Sequence, residues 1–317
     1  MDNNLLDILI PTLNREQALI RNLENIQKII LNNGLKNDIN IIISDNGSEL
    51  TSFEAIKNYL GKDFRVEYRL FRQEKNIGIE NNVLFLIDQS NAKYVMTLGD
   101  DDYFTENYLI IVINYLRIGN CTGIISNSYP IDINGKRIGS NDDKVTEDII
   151  YNKQDLWICG RGNQLSCLTF MRRGVVESYK KNVRNNVYPF VYFMAMNIER
   201  GNIIYISREP YAVTVIPKKN WDYSFDKLMG EYAIVLDCLP YQDKNDARRQ
   251  LKIIIDKNAW RFCHKATYFH PIKFLRRVIN YQVSDQIKVI IIGTFIKYLF
   301  TIPFRRFKYR FQNTVVE

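Results

Sequence analysis

The sequence predicts an α/β protein in which helices flank a mostly parallel sheet. The first hundred residues alternate short apolar runs with segments of helical periodicity, which is the order that β-α-β units produce. Turns rich in Gly, Asn and Asp follow four of the apolar runs, as expected at the carboxyl ends of parallel strands. The later chain first mixes strand and helix patterns, which predicts an α+β region, and then becomes helical and basic.

The strands are predicted from apolar runs that end at turn residues. The run Leu6–Ile10 ends at Pro11, and the run Ile39–Ser44 ends at the turn Asp45–Ser48. Because these runs are nearly continuous rather than alternating, both strands are expected to be buried on two faces. Further strands are predicted near Arg65–Phe71, Tyr94–Leu98, Gly123–Ser128, Leu165–Met171, Ile203–Ser207 and Tyr211–Ile216.

The helices are predicted where apolar residues recur every three or four positions. In the first helix, Leu19, Leu23 and Ile26 share one face, and the helix is expected to stop near Gly34. Asn14 precedes this segment and is predicted to cap its first turn. The other helices are predicted over Ser52–Leu60, Ile79–Gln89, Glu106–Leu116, Pro189–Glu199 and the chain beyond Asp243.

Composition excludes several classes of protein. With 317 residues, 46% of them hydrophobic and 25% charged, the chain is neither disordered nor a disulfide scaffold. Its five cysteines are widely spaced and include no C-x-x-C pair, so they are interpreted as reduced thiols. No signal peptide is predicted, and the longest apolar stretch, Val289–Phe304, is too short to span a bilayer. We therefore expect a cytoplasmic protein.

Three adjacent carboxylates directly follow the predicted strand Tyr94–Leu98. Asp100, Asp101 and Asp102 repel one another, and burying them without a partner is costly. A divalent cation relieves that cost, and carboxylate oxygens suit Mg²⁺ or Mn²⁺. The alternative is a solvated acidic turn that caps the helix near Glu106. Spacing alone leaves both interpretations open.

Four strand-end segments together resemble the donor-binding half of the family-2 glycosyltransferases, which have the Rossmann-type GT-A fold. The segments are Pro11–Arg15, Ser44–Ser48, Asn76–Gly78 and Leu98–Asp102. The resemblance covers about the first third of the chain and rests on the ordered set rather than on any single segment. The Gly-Asp-Asp-Asp form is similar to a subgroup of bacterial O-antigen and capsule sugar transferases.

The resemblance implies a role for each of these side chains. Asp45 would bind the nucleotide base, Asp100 would contact the ribose, and Asp102 would ligate a Mn²⁺ or Mg²⁺ ion on the diphosphate. Asp100 and Asp102 are thus the implied catalytic residues. The implied donor-binding residues are Pro11, Thr12, Asn14, Arg15, Asp45, Asn76, Gly78, Asp100 and Asp101.

The acceptor side departs from the family pattern. Most members place an Asp or Glu there as the general base of an inverting transfer. Here no carboxylate occurs between Glu177 and Glu199, and the expected neighbourhood contains Asn185–Pro189 instead. The general base therefore stays unassigned.

The C-terminal region is basic and amphipathic. Residues 265–317 hold ten Lys or Arg against Asp285 and Glu317, a net charge of +8 that equals the charge of the whole chain. On a helical wheel through Ile272–Tyr281, apolar side chains share one face and basic side chains the other. Such helices lie on anionic membrane surfaces. The alternatives are that these helices pack on the catalytic body or that they form a homo-oligomer contact. No nucleic-acid-binding motif accompanies this region, so no nucleic-acid partner is expected.

The predicted organisation is a nucleotide-sugar-binding half (1–105), an acceptor-binding half (106–240) and a helical basic region (241–317). The expected activity is metal-dependent sugar transfer from a nucleoside-diphosphate sugar to a saccharide acceptor, which we expect to be lipid-linked. Its expected place is surface-polysaccharide synthesis, peripherally on the inner face of the plasma membrane. A nucleotidyltransferase acting on sugar phosphates is the first alternative, disfavoured because Pro11–Arg15 contains no glycine. A non-catalytic membrane or nucleic-acid-binding module is the second.

Overall fold

A computed structural model describes residues 4–139, 147–183, 186–215, 225–257 and 270–297. The chain divides into two compact units, Met1–Asp222 and Tyr223–Glu317. The described part of the first unit is α/β, and the described part of the second consists of helices. The functional boundaries at residues 105 and 240 stay predictions.

The first unit is built on a mixed sheet that is mostly parallel. Its strands are β1 (Leu6–Thr12), β2 (Ile39–Asp45), β3 (Tyr68–Arg72), β4 (Tyr94–Thr97), β5 (Gly123–Ile131), β6 (Ile149–Tyr151), β7 (Leu168–Met171) and β8 (Ile203–Thr214). Their order across the sheet is β3-β2-β1-β4-β7-β5-β8-β6. Strands β1 to β4 run parallel to one another and β8 runs parallel to β5, whereas β7 and β6 pair antiparallel with their neighbours. The predicted α/β class is confirmed.

The helices flank this sheet or form the second unit. They are α1 (Glu16–Asn32), α2 (Leu50–Lys62), α3 (Ile79–Gln89), α4 (Glu106–Ile118), a 3₁₀ helix (Lys153–Arg161), α5 (Val175–Asn182), α6 (Pro189–Ile198), α7 (Phe225–Asp237), α8 (Lys244–Lys257), α9 (Pro271–Ile279) and residues 285–297. The periodic face of α1 is buried in one core with the isoleucines of β1 and β2. Since every apolar contact removes surface from water, this core holds the strand ends in fixed positions.

The prediction that Asn14 caps α1 is wrong. Arg15 occupies the N-cap position and no side chain caps the helix. Asn14 has a left-handed backbone, with a φ of 52°. Its side-chain oxygen accepts a hydrogen bond from the Glu49 N–H at 2.9 Å, and its own N–H donates to Ser48 Oγ at 2.8 Å. Asn14 therefore ties the loop after β1 to the loop after β2.

Two strand boundaries also differ from the prediction. Strand β1 continues through Pro11 to Thr12, because the N–H of Asn46 donates to the Thr12 carbonyl at 2.8 Å and extends the pairing beyond the proline. The two strands predicted over Ile203–Ser207 and Tyr211–Ile216 form the single strand β8, with a shift of register against β5. Strand β6, the 3₁₀ helix and α5 were not predicted, since none carries a sustained periodic pattern.

The cysteines agree with the interpretation as free thiols. Within the described ranges, Cys121, Cys159 and Cys167 are buried and Cys238 is partly exposed, and all four are free. Burial raises the pKa of Cys121 to about 11, which keeps this thiol protonated at neutral pH. Among the residues that the structure describes, no helix combines the length and the apolar character that crossing a bilayer requires.

In the second unit, the predicted apolar face of α9 is divided. Phe274 and Val278 are buried, and the Phe274 ring lies 4.3 Å from the Phe295 ring between centroids. Ile272 and Ile279 are exposed at 67% and 59%. Part of the predicted apolar face therefore packs inside the unit, and part of it is exposed. The sequence also predicts an apolar stripe of Phe304, Phe307 and Phe311 after Pro303, and these residues lie outside the described part of the chain.

Candidate active site

The parallel order of β1 and β4 brings the first loop against the acidic loop. Thr12 Oγ1 donates to Asp100 Oδ2 at 2.7 Å, although the two residues are 88 positions apart. Arg15 Nη1 donates to Asp100 Oδ1 at 3.1 Å and to Asp101 Oδ2 at 2.8 Å. Pro11 directly precedes Thr12 in β1 and pairs with Ser44 of β2. Of the predicted site residues, the structure thus joins Thr12, Arg15, Asp100 and Asp101 by direct side-chain contacts.

Asp100 is a buried carboxyl group with a shifted pKa. Only 5% of the residue is exposed, and this desolvation raises its pKa to about 6 even though Arg15 lowers it. Thr12 and Arg15 occupy one oxygen each and fix the orientation of the group. At neutral pH the carboxylate is therefore charged, held in place and available to accept further hydrogen bonds.

Asp102 is held from two other parts of the chain. Its Oδ2 accepts a hydrogen bond from Ser166 Oγ, and its Oδ1 accepts one from the Thr214 N–H at 2.8 Å. Burial, together with the nearby charge of Asp101, raises the pKa of Asp102 to about 6, although the two hydrogen bonds and Arg15 lower it. Burial thus disfavours the ionised form of Asp102, and a bound cation would stabilise that form.

The donor set at this point fits a divalent cation. Each oxygen of Asp102 accepts one hydrogen bond and retains a lone pair, and carboxylate oxygens are the ligands that Mg²⁺ and Mn²⁺ prefer. In the part of the chain that the structure describes, no group of three or more His, Cys, Asp or Glu could enclose a metal ion. A bound substrate and water would supply further ligands, as is usual for Mg²⁺ beside phosphates.

Asp45 faces its own turn. The residue is fully buried, and its carboxylate accepts hydrogen bonds from Ser48 Oγ and, at 3.2 Å, from the Ser48 N–H. Arg72 Nε lies 3.6 Å from Asp45 Oδ2, and the guanidinium also stacks on the Phe53 ring at 4.9 Å from its centroid. The Arg72 side chain is 37% exposed, and its Nη2 donates a hydrogen bond to the Ser48 carbonyl at 3.0 Å.

The loops after β2 and β3 are tied together by asparagines. Asn46 Nδ2 donates to Asn76 Oδ1 at 3.0 Å, and the Gly78 N–H donates to the same oxygen at 2.9 Å. The Ile77 N–H donates to Asn46 Oδ1 at 3.0 Å. Gly78 has a φ of 83° and is the residue before α3. Asn76 and Gly78 therefore shape the loop beside the Asp45 turn.

A cleft of about 290 Å³ opens beside the acidic loop. It is lined by Asn14, Arg15, Arg21, Asp101, Tyr103 and Thr214, among others. Three of these residues were predicted from the sequence as donor-binding residues. Tyr103 and Thr214 were not, and the backbone pairing of Tyr103 with Ala212 at 2.7 and 3.0 Å places the end of β8 against the acidic loop.

Three residues of the site were not singled out from the sequence as catalytic or donor-binding residues. Ser166 and Thr214 reach Asp102 from 64 and 112 positions away, so no spacing pattern connects them to it. Arg72 stands at the end of β3, where strand-end position alone would have marked it.

The neighbourhood in which the family pattern places the base contains no carboxylate among its described residues. Asn186 is fully buried, and its Oδ1 accepts a hydrogen bond from the Tyr188 N–H at 2.8 Å. Glu199 is exposed at the C-terminus of α6, which agrees with a solvated helix end. Asn185 lies outside the described residues.

A family model matches this chain. The model described as "Glycosyl transferase family 2" matches residues 7–180, which is more than half of the sequence. The chain therefore belongs to glycosyl transferase family 2, and its class is that of a glycosyltransferase. The predicted membership is confirmed.

A curated relative is the GalNAc(5)-diNAcBac-PP-undecaprenol beta-1,3-glucosyltransferase of Campylobacter jejuni. It is 27% identical over 157 residues, which are 47% of this chain and 48% of the relative. The match thus spans about half the length of that protein.

Solved structures share the fold over nearly the whole chain. TarS 1–349 of S. aureus, in complex with UDP-GlcNAc, gives a TM-score of 0.66 at 11% identity, covering 94% of this chain and 91% of that one. The mannosyltransferase PcManGT of Pyrobaculum calidifontis, in complex with GDP-Man and Mn²⁺, gives 0.56 at 10% identity, covering 94% and 87%. This likeness confirms the predicted GT-A-like fold.

Proposed function

We propose that this chain transfers a sugar from a nucleoside-diphosphate sugar to a lipid-linked saccharide in bacterial glycan assembly. The observation that carries the proposal is the convergence of Thr12, Arg15 and the Asp100–Asp102 carboxylates at the carboxyl edge of a family-2 fold. The TarS complex with UDP-GlcNAc supports a nucleotide-sugar donor. The name of the Campylobacter relative supports an undecaprenol-linked acceptor.

Each side chain of the site has a task in this proposal. Thr12 and Arg15 orient Asp100, which accepts a hydrogen bond from a ribose hydroxyl. Asp45, which was predicted to bind the base directly, acts on it through Arg72: its buried carboxylate holds Arg72 beside the turn, and the partly exposed Arg72 side chain binds the edge of the base. Asp102 holds a Mn²⁺ or Mg²⁺ ion, which would stabilise the charge of the departing diphosphate. Asn14, Asn76 and Gly78 keep the surrounding loops in place.

The proposal places this activity in surface-polysaccharide assembly. The Gly99–Asp102 segment is the feature behind this finer assignment, together with the undecaprenol-linked substrate in the relative's name. Membership of a glycosyltransferase family disfavours both the nucleotidyltransferase and the non-catalytic binding module.

A transfer assay tests the proposal. The protein is incubated with UDP-GlcNAc, UDP-glucose or GDP-mannose, MnCl₂ and undecaprenyl-diphosphate saccharides, and the products are weighed by mass spectrometry. We expect one donor to add a single sugar to the lipid-linked acceptor. EDTA should stop the transfer, and added Mn²⁺ should restore it. Transfer that is insensitive to EDTA would remove the metal from the proposal. If none of these donors is transferred to any of these acceptors, the proposed donor and acceptor classes are contradicted.

The same proposal places the protein peripherally on the inner face of the plasma membrane, bound through residues 265–317. Lys273 and Arg276 of α9 are exposed, and neither makes an ion pair with another described residue. With the exposed Ile272 they line an open groove of about 570 Å³. Each basic residue near anionic lipid contributes about 1 kcal/mol. Cations beside an exposed apolar side chain suit an anionic lipid surface.

Reversing the two charges should release the protein from membranes. We expect Lys273→Glu combined with Arg276→Glu to lower partitioning into phosphatidylglycerol vesicles by about tenfold or more. The matched control is Lys57→Glu with Lys62→Glu, which makes the same charge change on exposed positions of α2. Equal partitioning of the two double variants would contradict the membrane surface. A change of oligomeric mass without vesicles would favour the homo-oligomer contact instead.

Point substitutions test this surface better than a deletion. Phe274, Val278 and Phe295 are buried in the second unit, so removing residues 265–317 would take away part of its core.

A further inference from the structure

Ser166 is a buried serine that joins the two ends of the acidic loop. The residue is 2% exposed and lies just before β7. Its Oγ accepts a hydrogen bond from the Gly99 N–H at 2.8 Å and also contacts Asp102 Oδ2 at hydrogen-bond distance. Because the Gly99 N–H can only donate, the single hydroxyl proton of Ser166 is free to point at Asp102. The hydroxyl is therefore a directed donor to that carboxylate.

Gly99 leaves the room that this contact needs. A Cβ at this position would lie 3.0 Å from Asp102 Oδ2 and 3.0 Å from Ser166 Oγ. Such distances are tighter than ordinary van der Waals contacts, so a side chain would push the pair apart. The glycine of the Gly-Asp-Asp-Asp sequence is thus explained by the closeness of Ser166 to Asp102.

The segment that carries Ser166 is held in an uncommon backbone conformation. Cys167 follows it with a φ of 59°, a left-handed conformation that is unusual for a residue other than glycine. Its N–H donates to the Thr97 carbonyl at the end of β4 at 2.7 Å. Strain of this kind persists where the surroundings over-determine the backbone, and it clusters at functional sites. Here it places Ser166 against the acidic loop.

Asp102 is consequently fixed before any ligand arrives. One oxygen is held by Ser166 and the other by the Thr214 N–H at 2.8 Å. A carboxylate held at both oxygens keeps one orientation. It therefore loses little conformational freedom when it binds a cation, and binding is tighter as a result.

We propose that Ser166 is a positioning residue that orients the Asp102 carboxylate and thereby sets the affinity for a complex of divalent cation and nucleotide. This proposal rests on the proposed function, in which Asp102 ligates the cation. Hydrogen-bond partners of metal ligands typically change metal affinity by about 10–100-fold. Ser166 itself touches neither the cation nor the sugar in this assignment.

The test measures Mn²⁺ affinity rather than turnover. Free Mn²⁺ is followed by electron paramagnetic resonance while it is titrated into the full chain with saturating UDP. We expect Ser166→Ala to weaken Mn²⁺ binding by about 10–100-fold. Its transfer activity should recover partly at high Mn²⁺, because Asp102 remains.

Ser90→Ala is the matched control. Ser90 is 1% exposed, and its hydroxyl donates at 2.6 Å to the buried carboxylate of Asp7, near the amino end of β1. The control therefore removes an equivalent buried bond, and its Mn²⁺ affinity should equal that of the wild type.

Two results would overturn the proposal: Ser166→Ala binding Mn²⁺ as the wild type does, or Ser90→Ala losing affinity equally. If Ser166→Ala does not fold, Gly99→Ala replaces it, because its Cβ displaces the same pair. An unchanged affinity in folded Gly99→Ala would also overturn the proposal. Failure of the proposed function has a different signature, since the wild type itself would then bind no Mn²⁺ with UDP.

Discussion

Replacing Asp102 by Asn is expected to reduce sugar transfer by at least about 100-fold, the loss that follows removal of one charge-stabilising group. The amide fits the same place, because its oxygen can accept from the Thr214 N–H while its nitrogen donates to Ser166 Oγ, which reverses the direction of that second bond. The fold should therefore survive while the negative charge is lost. Initial rates at saturating donor and Mn²⁺ measure the effect.

The same substitution should stabilise the fold at neutral pH. Burial raises the pKa of Asp102 from 3.8 to about 6, so the folded state favours the protonated carboxyl. Its contribution to stability is complete below the unfolded pKa and is lost as the pH rises through about 6. Asn avoids that loss. Without metal, we expect its melting temperature to exceed the wild-type value by about 2–4 °C at neutral pH, and the difference to vanish near pH 4.

Asp38→Asn is the control for both effects. Asp38 precedes β2, at the opposite end of that strand from the site, and pairs with Arg117 at 2.8 Å. This variant should keep full activity and show no gain in melting temperature at neutral pH. Asp102→Asn with near-normal activity would contradict the role given to Asp102.

Replacing Gly47 by Ala should damage both the fold and donor binding. Gly47 has a φ of 81°, and a Cβ there would lie 2.6 Å from the Lys75 carbonyl carbon and 2.9 Å from the Asn76 nitrogen. The left-handed backbone costs about 1–2 kcal/mol for a residue with a side chain. Displacing neighbouring backbone costs a further ~1–3 kcal/mol. Urea denaturation should therefore show a loss of roughly 3 kcal/mol, and the affinity for UDP-sugars should fall because the two donor loops separate.

Gly34→Ala separates strain from crowding. Gly34 also has a positive φ, 64°, but a Cβ there would meet nothing within 4 Å. This variant should lose only the backbone term of about 1–2 kcal/mol and bind UDP-sugars normally. Equal losses in both variants would show that the contact between the loops at Gly47 and Lys75 does not matter.

Local patterns predicted the framework because they depend on near neighbours. Helix α3 has the predicted bounds, Ile79–Gln89, since its periodic face meets the sheet as the spacing requires. The parallel order predicted that Thr12 and Asp100 would approach, and they share a hydrogen bond. Strand ends of a parallel sheet meet at one edge whatever the loops contain, so this part of the site follows from strand order alone.

The rest depends on contacts that only the folded chain defines. Asn14 was predicted to cap α1, but its side-chain oxygen accepts a hydrogen bond from the Glu49 N–H in the loop after β2 instead. The spacing of apolar residues predicted the apolar face of α9, but it did not predict that Phe274 on this face would pack against Phe295. Ser166 and Thr214 reach Asp102 across long separations, and hydroxyls and backbone N–H groups are too common to be recognised by type.

The central claim is that a cation and a nucleotide diphosphate meet at Asp102. The most direct measurement is anomalous scattering from crystals of this chain grown with MnCl₂ and UDP. The account predicts one strong Mn²⁺ peak in contact with the Asp102 carboxylate and the diphosphate, with the ribose near Asp100. A Mn²⁺ peak away from Asp102, or a nucleotide bound elsewhere than the carboxyl edge of β1 and β4, would contradict it.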